Sequence, residues 1–195
     1  MLDDKQLEQY RQDIQFTATL SGHPFSFKST WGIFSPREID AGTHLLMKHI
    51  KIKPTDDCFD LGCGYGPIGL TMAKIAHKGK TLLVDKDFMA IEYSNKNARL
   101  NNLDNAKAFL SNGFQHVDAN LRFDVVASNV PAKVGKEMMS LMLHDAYQYL
   151  KADGKIYLVT VNGLRQYMKR NLKEIFGNYK KVKQGKTYTV HMAQK

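Results

Sequence analysis

From residue 58 onward the chain repeats one pattern, a short apolar run followed by a stretch of helical length. The runs fall at 58–61, 81–84, 106–110, 123–127 and 156–161, and the helical patterns at about 67–77, 87–101, 135–150 and 164–176. Continuous rather than alternating apolar runs belong to strands covered on both faces, and helix-length connections force successive strands to lie parallel. The pattern therefore predicts βαβ units and a doubly covered parallel sheet. Two further runs, 179–183 and 187–192, are separated only by Gln184-Gly185-Lys186. That is too short for a crossover, so they are expected to pair as an antiparallel hairpin at the sheet edge. Ahead of the repeat, Ile14–Leu20 and 25–30 alternate around Ser21-Gly22-His23-Pro24, a second hairpin signal. Residues 40–52 read as a helix, with Leu45, Leu46, His49 and Ile50 at helical spacing and Pro54 beyond its end. Residues 1–14 are polar, a short helix or a frayed end.

The 195 residues, 43% hydrophobic and 24% charged, suffice for one well-filled core and exclude a disordered chain. One domain over 1–195 is expected, with 14–52 a hairpin and helix attached to a core at 53–195. No apolar run approaches the roughly 20 residues of a membrane helix. Met1-Leu2-Asp3-Asp4-Lys5 does not resemble a secretory leader, so a cytoplasmic location is expected. Cys58 and Cys63 lack the paired spacing of a zinc site and read as buried thiols, and the seven His show no metal-ligand arrangement. No metal is expected.

The net charge of +9 is unevenly placed. Residues 151–195 hold 11 Lys and Arg against two acids, Asp153 and Glu174, while the first 150 hold 17 of each sign. A basic quarter on a neutral body suits a polyanion such as RNA, or serves as a solvated lysine-rich surface.

The strongest chemical signal is Asp60-Leu61-Gly62-Cys63-Gly64-Tyr65-Gly66-Pro67-Ile68-Gly69, between a predicted strand and a predicted helix. Glycines let the backbone turn sharply and approach a ligand, and a helix N-terminus offers unpaired N–H groups. Gly64-x-Gly66-x-x-Gly69 also fits a dinucleotide fingerprint, with Asp85 at the spacing of a ribose-binding acid. Alone, the loop indicates an adenosine cofactor without choosing between a nicotinamide and S-adenosylmethionine. Three features favour the latter: Asp60, whose carboxylate would repel a pyrophosphate, the terminal hairpin, and Ser128-Asn129-Val130-Pro131-Ala132 directly after a buried strand. If the strands at 58–61 and 123–127 are neighbours, the Gly62 loop and Asn129 share one crevice beyond their carboxyl ends.

On these residues, together with Gly32-Ile33-Phe34-Ser35, Asp40-Ala41-Gly42-Thr43 and Ser111-Asn112, the sequence resembles the class I S-adenosylmethionine-dependent methyltransferases. More narrowly it is similar to the "methyltransferase small" family, which includes the 16S rRNA guanine-N2 methyltransferase C group. The resemblance covers about residues 14–195 and implies a Rossmann-like seven-stranded sheet with an antiparallel C-terminal hairpin and a small N-terminal β-hairpin. It implies a cofactor site of Phe34, Asp40, Thr43, Asp60, Gly62, Cys63, Gly64, Gly66, Asp85, Lys86, Asn112 and Gly113. Within it Asp85 would take the ribose hydroxyls, Asn112 the adenine amino group, and Phe34, Asp40 and Thr43 would form a lid.

By the same resemblance Asn129, Val130 and Pro131 form the catalytic motif, in which the Asn oxygen and the next carbonyl accept from an exocyclic amine. Positioning rather than a strong base then supplies most of the rate. This chain departs from the family pattern, with Val130 in place of Pro and Ala132 where an aromatic or large apolar residue is usual. Tyr65, Trp31 and Phe34 are alternative stacking surfaces, or ordinary packing. The implied activity is N-methylation of guanine N2 in 16S rRNA, with RNA or the small ribosomal subunit as partner and no membrane. A small-molecule N-methyltransferase, a cofactor- or RNA-binding protein without transfer activity, and a nicotinamide oxidoreductase remain alternatives, and oligomeric state is not legible.

Overall fold

The computed structural model describes residues 3, 7, 8, 10, 12–131 and 134–195. Ala132 and most of the polar stretch at 1–11 therefore lie outside the described residues. In chain order the elements are β1 (Ile14–Leu20), β2 (His23–Ser29), α1 (Ala41–His49), β3 (Cys58–Leu61), α2 (Pro67–Ile75), β4 (Thr81–Asp85) and α3 (Phe88–Leu100). Then follow β5 (Ala106–Leu110), β6 (Phe123–Asn129), α4 (Lys136–Tyr149), β7 (Leu150–Val161), α5 (Arg165–Phe176), β8 (Lys180–Gln184) and β9 (Tyr188–Gln194). Among the described residues no helix is long and apolar enough to cross a membrane.

The main sheet has the order β5-β4-β3-β6-β7-β9-β8, and β1 and β2 form a separate antiparallel pair. Strands β3 to β7 run parallel, and β9 is antiparallel to both β7 and β8. The expected terminal hairpin is present, but its second strand is the inner one. Burial explains the order: Thr189, Val190, His191 and Ala193 are inaccessible, whereas Lys-Lys-Val-Lys-Gln of β8 is mostly exposed. Lysines on an outermost strand also discourage edge-to-edge pairing. Strand β7 begins at Leu150, earlier than the apolar run at 156–161 indicates. Leu150 pairs with Phe123, after which the ladder shifts register through a stretch containing Asp153 at φ 65°. Lys-Ala-Asp-Gly has the composition of a turn, so the pattern hides this extension.

The two sheet faces bury separate clusters. Val125, Ala127, Tyr157 and Val159 join the hairpin, α1, α2 and α3 on one side. Val126, Ile156 and Leu158 join α4 and α5 on the other, where Phe59 stacks on Phe114 with ring centroids 4.6 Å apart. Met168 and Leu172 of α5 are fully buried, while Leu164 and Ile175 of the expected stripe are only half-buried. In α1 the buried face is Gly42, Thr43, Leu46 and Met47, rotated from the expected Leu45, Leu46, His49 and Ile50. Both cysteines are free and buried.

The hairpin is tied down by two amides. Asn97 Oδ1 accepts from the Lys28 N–H at 2.7 Å, and its Nδ2 donates to the carbonyls of Lys28 and Tyr65 at 2.8 and 2.9 Å. One turn later Asn101 makes the same pair of bonds to Ser26, at 3.0 and 2.8 Å. The outer edge of β2 is thus saturated as a third strand would saturate it. Asn97 is fully buried, so Asn97→Ala would leave several backbone groups unpaired. We expect a loss of about 2 kcal/mol in urea unfolding, with a smaller loss for Asn101→Ala.

Candidate active site

Because the chain runs β3, β4, β5 to one side and returns with β6 on the other, the topological switch falls between β3 and β6. Register places Asp60 beside Ala127 and Leu83, and Asp85 beside Leu110, so the carboxyl ends of four strands line one edge. The Gly62 loop and Asn129 do share this crevice, as their position after neighbouring strands anticipates. Ser128 Oγ donates to the Leu61 carbonyl at 2.6 Å and ties the two strand ends together.

The loop between β3 and α2 needs its glycines. Gly62, Gly64 and Gly66 have φ of 78°, 56° and 96°, in the left-handed region that disfavours side chains. A Cβ on Gly62 would meet no protein atom within 4 Å, so the loop presents bare backbone to open space. Its shape is held from three sides. Asp85 Oδ2 accepts from the Gly64 N–H at 3.0 Å, Ser94 Oγ donates to the Gly64 carbonyl at 2.8 Å, and Asn97 holds Tyr65. Tyr65 is 2% exposed and meets Phe16 and Phe27 of the hairpin edge-on. It is packing, and is removed from the candidate stacking surfaces. Ser94 and Asn97 carry no motif, only positions on the α3 face that turns toward the loop.

Asp60 is completely buried on the α2 side of the sheet. Its Oδ2 accepts from the Gly69 N–H at 2.7 Å, and its Oδ1 has no partner within the protein. A Cβ at 69 would fall 2.3 Å from Leu83 and 2.9 Å from Asp60, which is why α2 can approach only with glycine there. Burial, with a smaller push from Asp85, raises the Asp60 carboxyl to about 7. Cys63, also buried, has its thiol pushed well up, so it is no nucleophile. Asp85 is half-buried and also accepts from the Asp87 N–H at 3.1 Å, yet each carboxylate oxygen keeps lone-pair capacity. Lys86 and Asn112 are exposed beside it, and Gly113 turns with φ 61°.

Across the crevice Asn129 ends β6. Its Nδ2 donates to Asp40 Oδ2 at 2.6 Å and to Thr43 Oγ1 at 3.1 Å. Asp40 caps α1 by accepting from the Thr43 N–H at 3.0 Å, and Tyr188 of β9 donates to its Oδ1 at 3.0 Å. Asp40 and Thr43 therefore lie against Asn129. The segment before them reaches the glycine loop instead: Ile33 borders the space above Gly64, and the Glu38 carbonyl accepts from the Tyr65 hydroxyl at 3.1 Å. On that segment Phe34 is 67% and Trp31 40% exposed, with the Arg37 guanidinium 4.5 Å from the Trp31 ring centroid. Val130 donates its N–H to the Val159 carbonyl at 3.0 Å, a rung of the β6–β7 ladder that proline cannot make. Pro131 is exposed. The departure from Pro at 130 thus exchanges ring stiffness for a backbone bond.

Residues 24–192 match the methyltransferase small domain family. The chain is 32% identical over 180 residues to the uncharacterized protein YbxB of Bacillus subtilis (strain 168), covering 90% of this chain and 89% of that one. Among solved structures, T. thermophilus 16S rRNA N2 G1207 methyltransferase (RsmC), in complex with AdoMet and guanosine, matches with a TM-score of 0.85 at 25% identity. The match covers 94% of this chain and 50% of that one, so this chain spans half the length of that enzyme. A methyltransferase from Pyrococcus furiosus has the same fold, with a TM-score of 0.66 at 21% identity over 84% of this chain and 89% of that one.

A seven-stranded sheet with an inserted antiparallel strand, and a glycine loop and Asn129 at its switch point, is that of a class I methyltransferase. The chain belongs to the methyltransferase small domain family, and S-adenosylmethionine is its cofactor. The residues fit that group: an open glycine backbone, an acceptor-only carboxylate at the end of β4, and a buried carboxylate oxygen in need of a donor.

The Asp60 carboxyl makes stability depend on pH with an unusual sign. Unfolded, it ionises near 3.8, and folded it keeps its proton to about 7. Within that window the folded chain binds the extra proton, so stability falls as pH rises and the loss is complete above about 7. Asp60→Asn keeps an acceptor for Gly69 and removes the charge. In urea unfolding at pH 8 we expect it to be more stable than the unaltered protein by up to about 4 kcal/mol, with the difference vanishing near pH 4. A less stable variant at pH 8 would contradict a buried, unpaired charge at this position.

Proposed function

We propose that this protein methylates an exocyclic base nitrogen of ribosomal RNA, the N2 of a guanine in 16S rRNA. The carrying observation is the orientation of Asn129. Its amide nitrogen is committed to Asp40 and Thr43, which leaves Oδ1 as an acceptor on the other side. An acceptor oxygen at the carboxyl end of the switch-point strand, followed by the carbonyl of Val130, suits a substrate that presents N–H donors. The guanosine bound in the T. thermophilus enzyme supports the same choice.

S-adenosylmethionine supplies an electrophilic methyl group on a sulfonium. Asp85 would accept from its ribose hydroxyls, Asn112 with Lys86 and Gly113 would hold the adenine, and the Gly62, Cys63, Gly64 and Gly66 backbone would hold the methionine end. Asp60, unpartnered at Oδ1 beneath the loop, would favour the positive charge of the ammonium group above it. Asn129 and the Val130 carbonyl aim the acceptor nitrogen, and Pro131 closes the motif. No strong base is needed: the amine lone pair would form the N–C bond as the methyl–sulfur bond breaks, the sulfonium leaving as a neutral thioether and the amine proton passing to solvent water, so orientation carries the rate.

RNA is held by surfaces flanking the crevice. Lys169, Arg170 and Lys173 on α5, with Lys180, Lys181 and Lys183 on β8 and Lys186 after it, are exposed. The turn after β8 reaches α1, since a Cβ at Gly185 would lie 3.5 Å from Leu45. Trp31 and Phe34 offer stacking faces at the other rim.

Incubation of immature small ribosomal subunits, from cells lacking the protein, with tritiated cofactor should label 16S rRNA at a single guanine. Asn129→Ala should lower kcat by about 100-fold while leaving cofactor affinity intact. Label confined to small metabolites would overturn the reading. Phe34→Ala and Trp31→Ala are each expected to raise KM for RNA about tenfold with kcat little changed, the size of a lost base stack.

A further inference from the structure

We propose that Tyr188 and Asp40 are positioning residues, which reach through Asn129 to fix the direction of its acceptor oxygen. The inference rests on the methyl-transfer reading of Asn129 given above.

An asparagine side chain has two faces of opposite chemistry, and rotation by half a turn exchanges them. Left alone, Asn129 would present donor and acceptor to a substrate amine with little preference. Asp40 removes the choice. A carboxylate only accepts, so the amide group 2.6 Å from Asp40 Oδ2 must be the Nδ2 donor. Its other contact, Thr43 Oγ1 at 3.1 Å, accepts the second amide proton. A flipped amide would set two acceptor oxygens in contact and strand both protons. The direction of Oδ1 is thus fixed by a group that never touches the substrate.

Asp40 is in turn held from both ends. The Thr43 N–H fixes Oδ2 as the cap of α1, and Tyr188 Oη fixes Oδ1 at 3.0 Å. Burial, and then the bond to Asp40, hold the Tyr188 hydroxyl above its ordinary value, so it remains a donor through neutral pH. Tyr188 of β9 pairs with Val161 of β7 and Asn129 of β6 pairs with Val159 of β7, so the three groups are placed by the two strands flanking β7 and the helix that begins after Asp40. Gly42 makes the arrangement possible. A Cβ there would stand 2.9 Å from Asp40 Oδ2 and 3.0 Å from the Tyr188 ring. The spacing Asp40-x-Gly42-Thr43 thereby acquires a physical content: an acceptor, a gap for a ring, and a second acceptor.

The test uses the whole chain and three substitutions, Tyr188→Phe, Asp40→Asn and the two combined. Tyr188→Phe should lower kcat about tenfold, with KM for RNA and calorimetric cofactor affinity within about twofold of the unaltered protein, and Asp40→Asn should lower kcat about 100-fold. Because Tyr188 acts through Asp40, the double variant should be no slower than Asp40→Asn alone. The Asn129 side-chain amide resonance, assigned by its loss in Asn129→Ala, should shift in Tyr188→Phe without cofactor or RNA present. An unmoved resonance with unchanged kcat overturns the proposal, as does loss of cofactor affinity with kcat intact, or multiplicative effects in the double variant. If the unaltered protein transfers no methyl group to RNA, the reading above fails, while the resonance alone still decides whether the relay exists.

Discussion

The architecture depends on holding a left-handed glycine loop open above a fully buried strand. Such a loop has no secondary structure of its own to keep it in shape, so its restraints come from outside. Asp85 pins one amide from β4, Ser94 and Asn97 pin carbonyls from α3, and the hairpin presses Phe16 and Phe27 against Tyr65. The hairpin is therefore more than an appendage: by packing on Tyr65 it braces one wall of the crevice, and Asn97 serves both structures with one amide.

Two kinds of electrostatic work are divided between the sides of the crevice. Beneath the loop, Asp60 is deprived of water and of a partner for one oxygen, which favours its neutral form and leaves the free protein less stable than it could be. Opposite, Asp40 accepts from three donors and no shortfall exists. Unsatisfied polarity thus lies beneath the glycine loop, and complete satisfaction on the wall where Asn129 is held.

Much of this was legible in the sequence because it rests on local pattern. Strand and helix periods gave the parallel sheet, glycine spacing located the loop, and a lone Asn after an apolar run marked the far wall. What escaped was fixed by distance along the chain. Tyr188 and Asp40 are 148 positions apart and share no motif, so only the fold reveals that they meet. Tyr65 looks like an available aromatic in a ligand loop, and only the hairpin's position shows it is spent on packing. The inner placement of β9 was hidden for a similar reason: pairing within a hairpin is local, but which of its strands joins the sheet is settled by burial.

The insertion of β9 between β7 and β8 also bears on the order in which the site is completed during synthesis. Every other residue given a part in the crevice is encoded by position 131 or earlier, yet Tyr188 arrives with the strand translated after all others in the sheet. Asp40 and Asn129 are both made before it, so their contact does not wait for the last strand. What the last strand adds is the donor that holds Asp40 by its second oxygen, 148 positions from the residue it steadies.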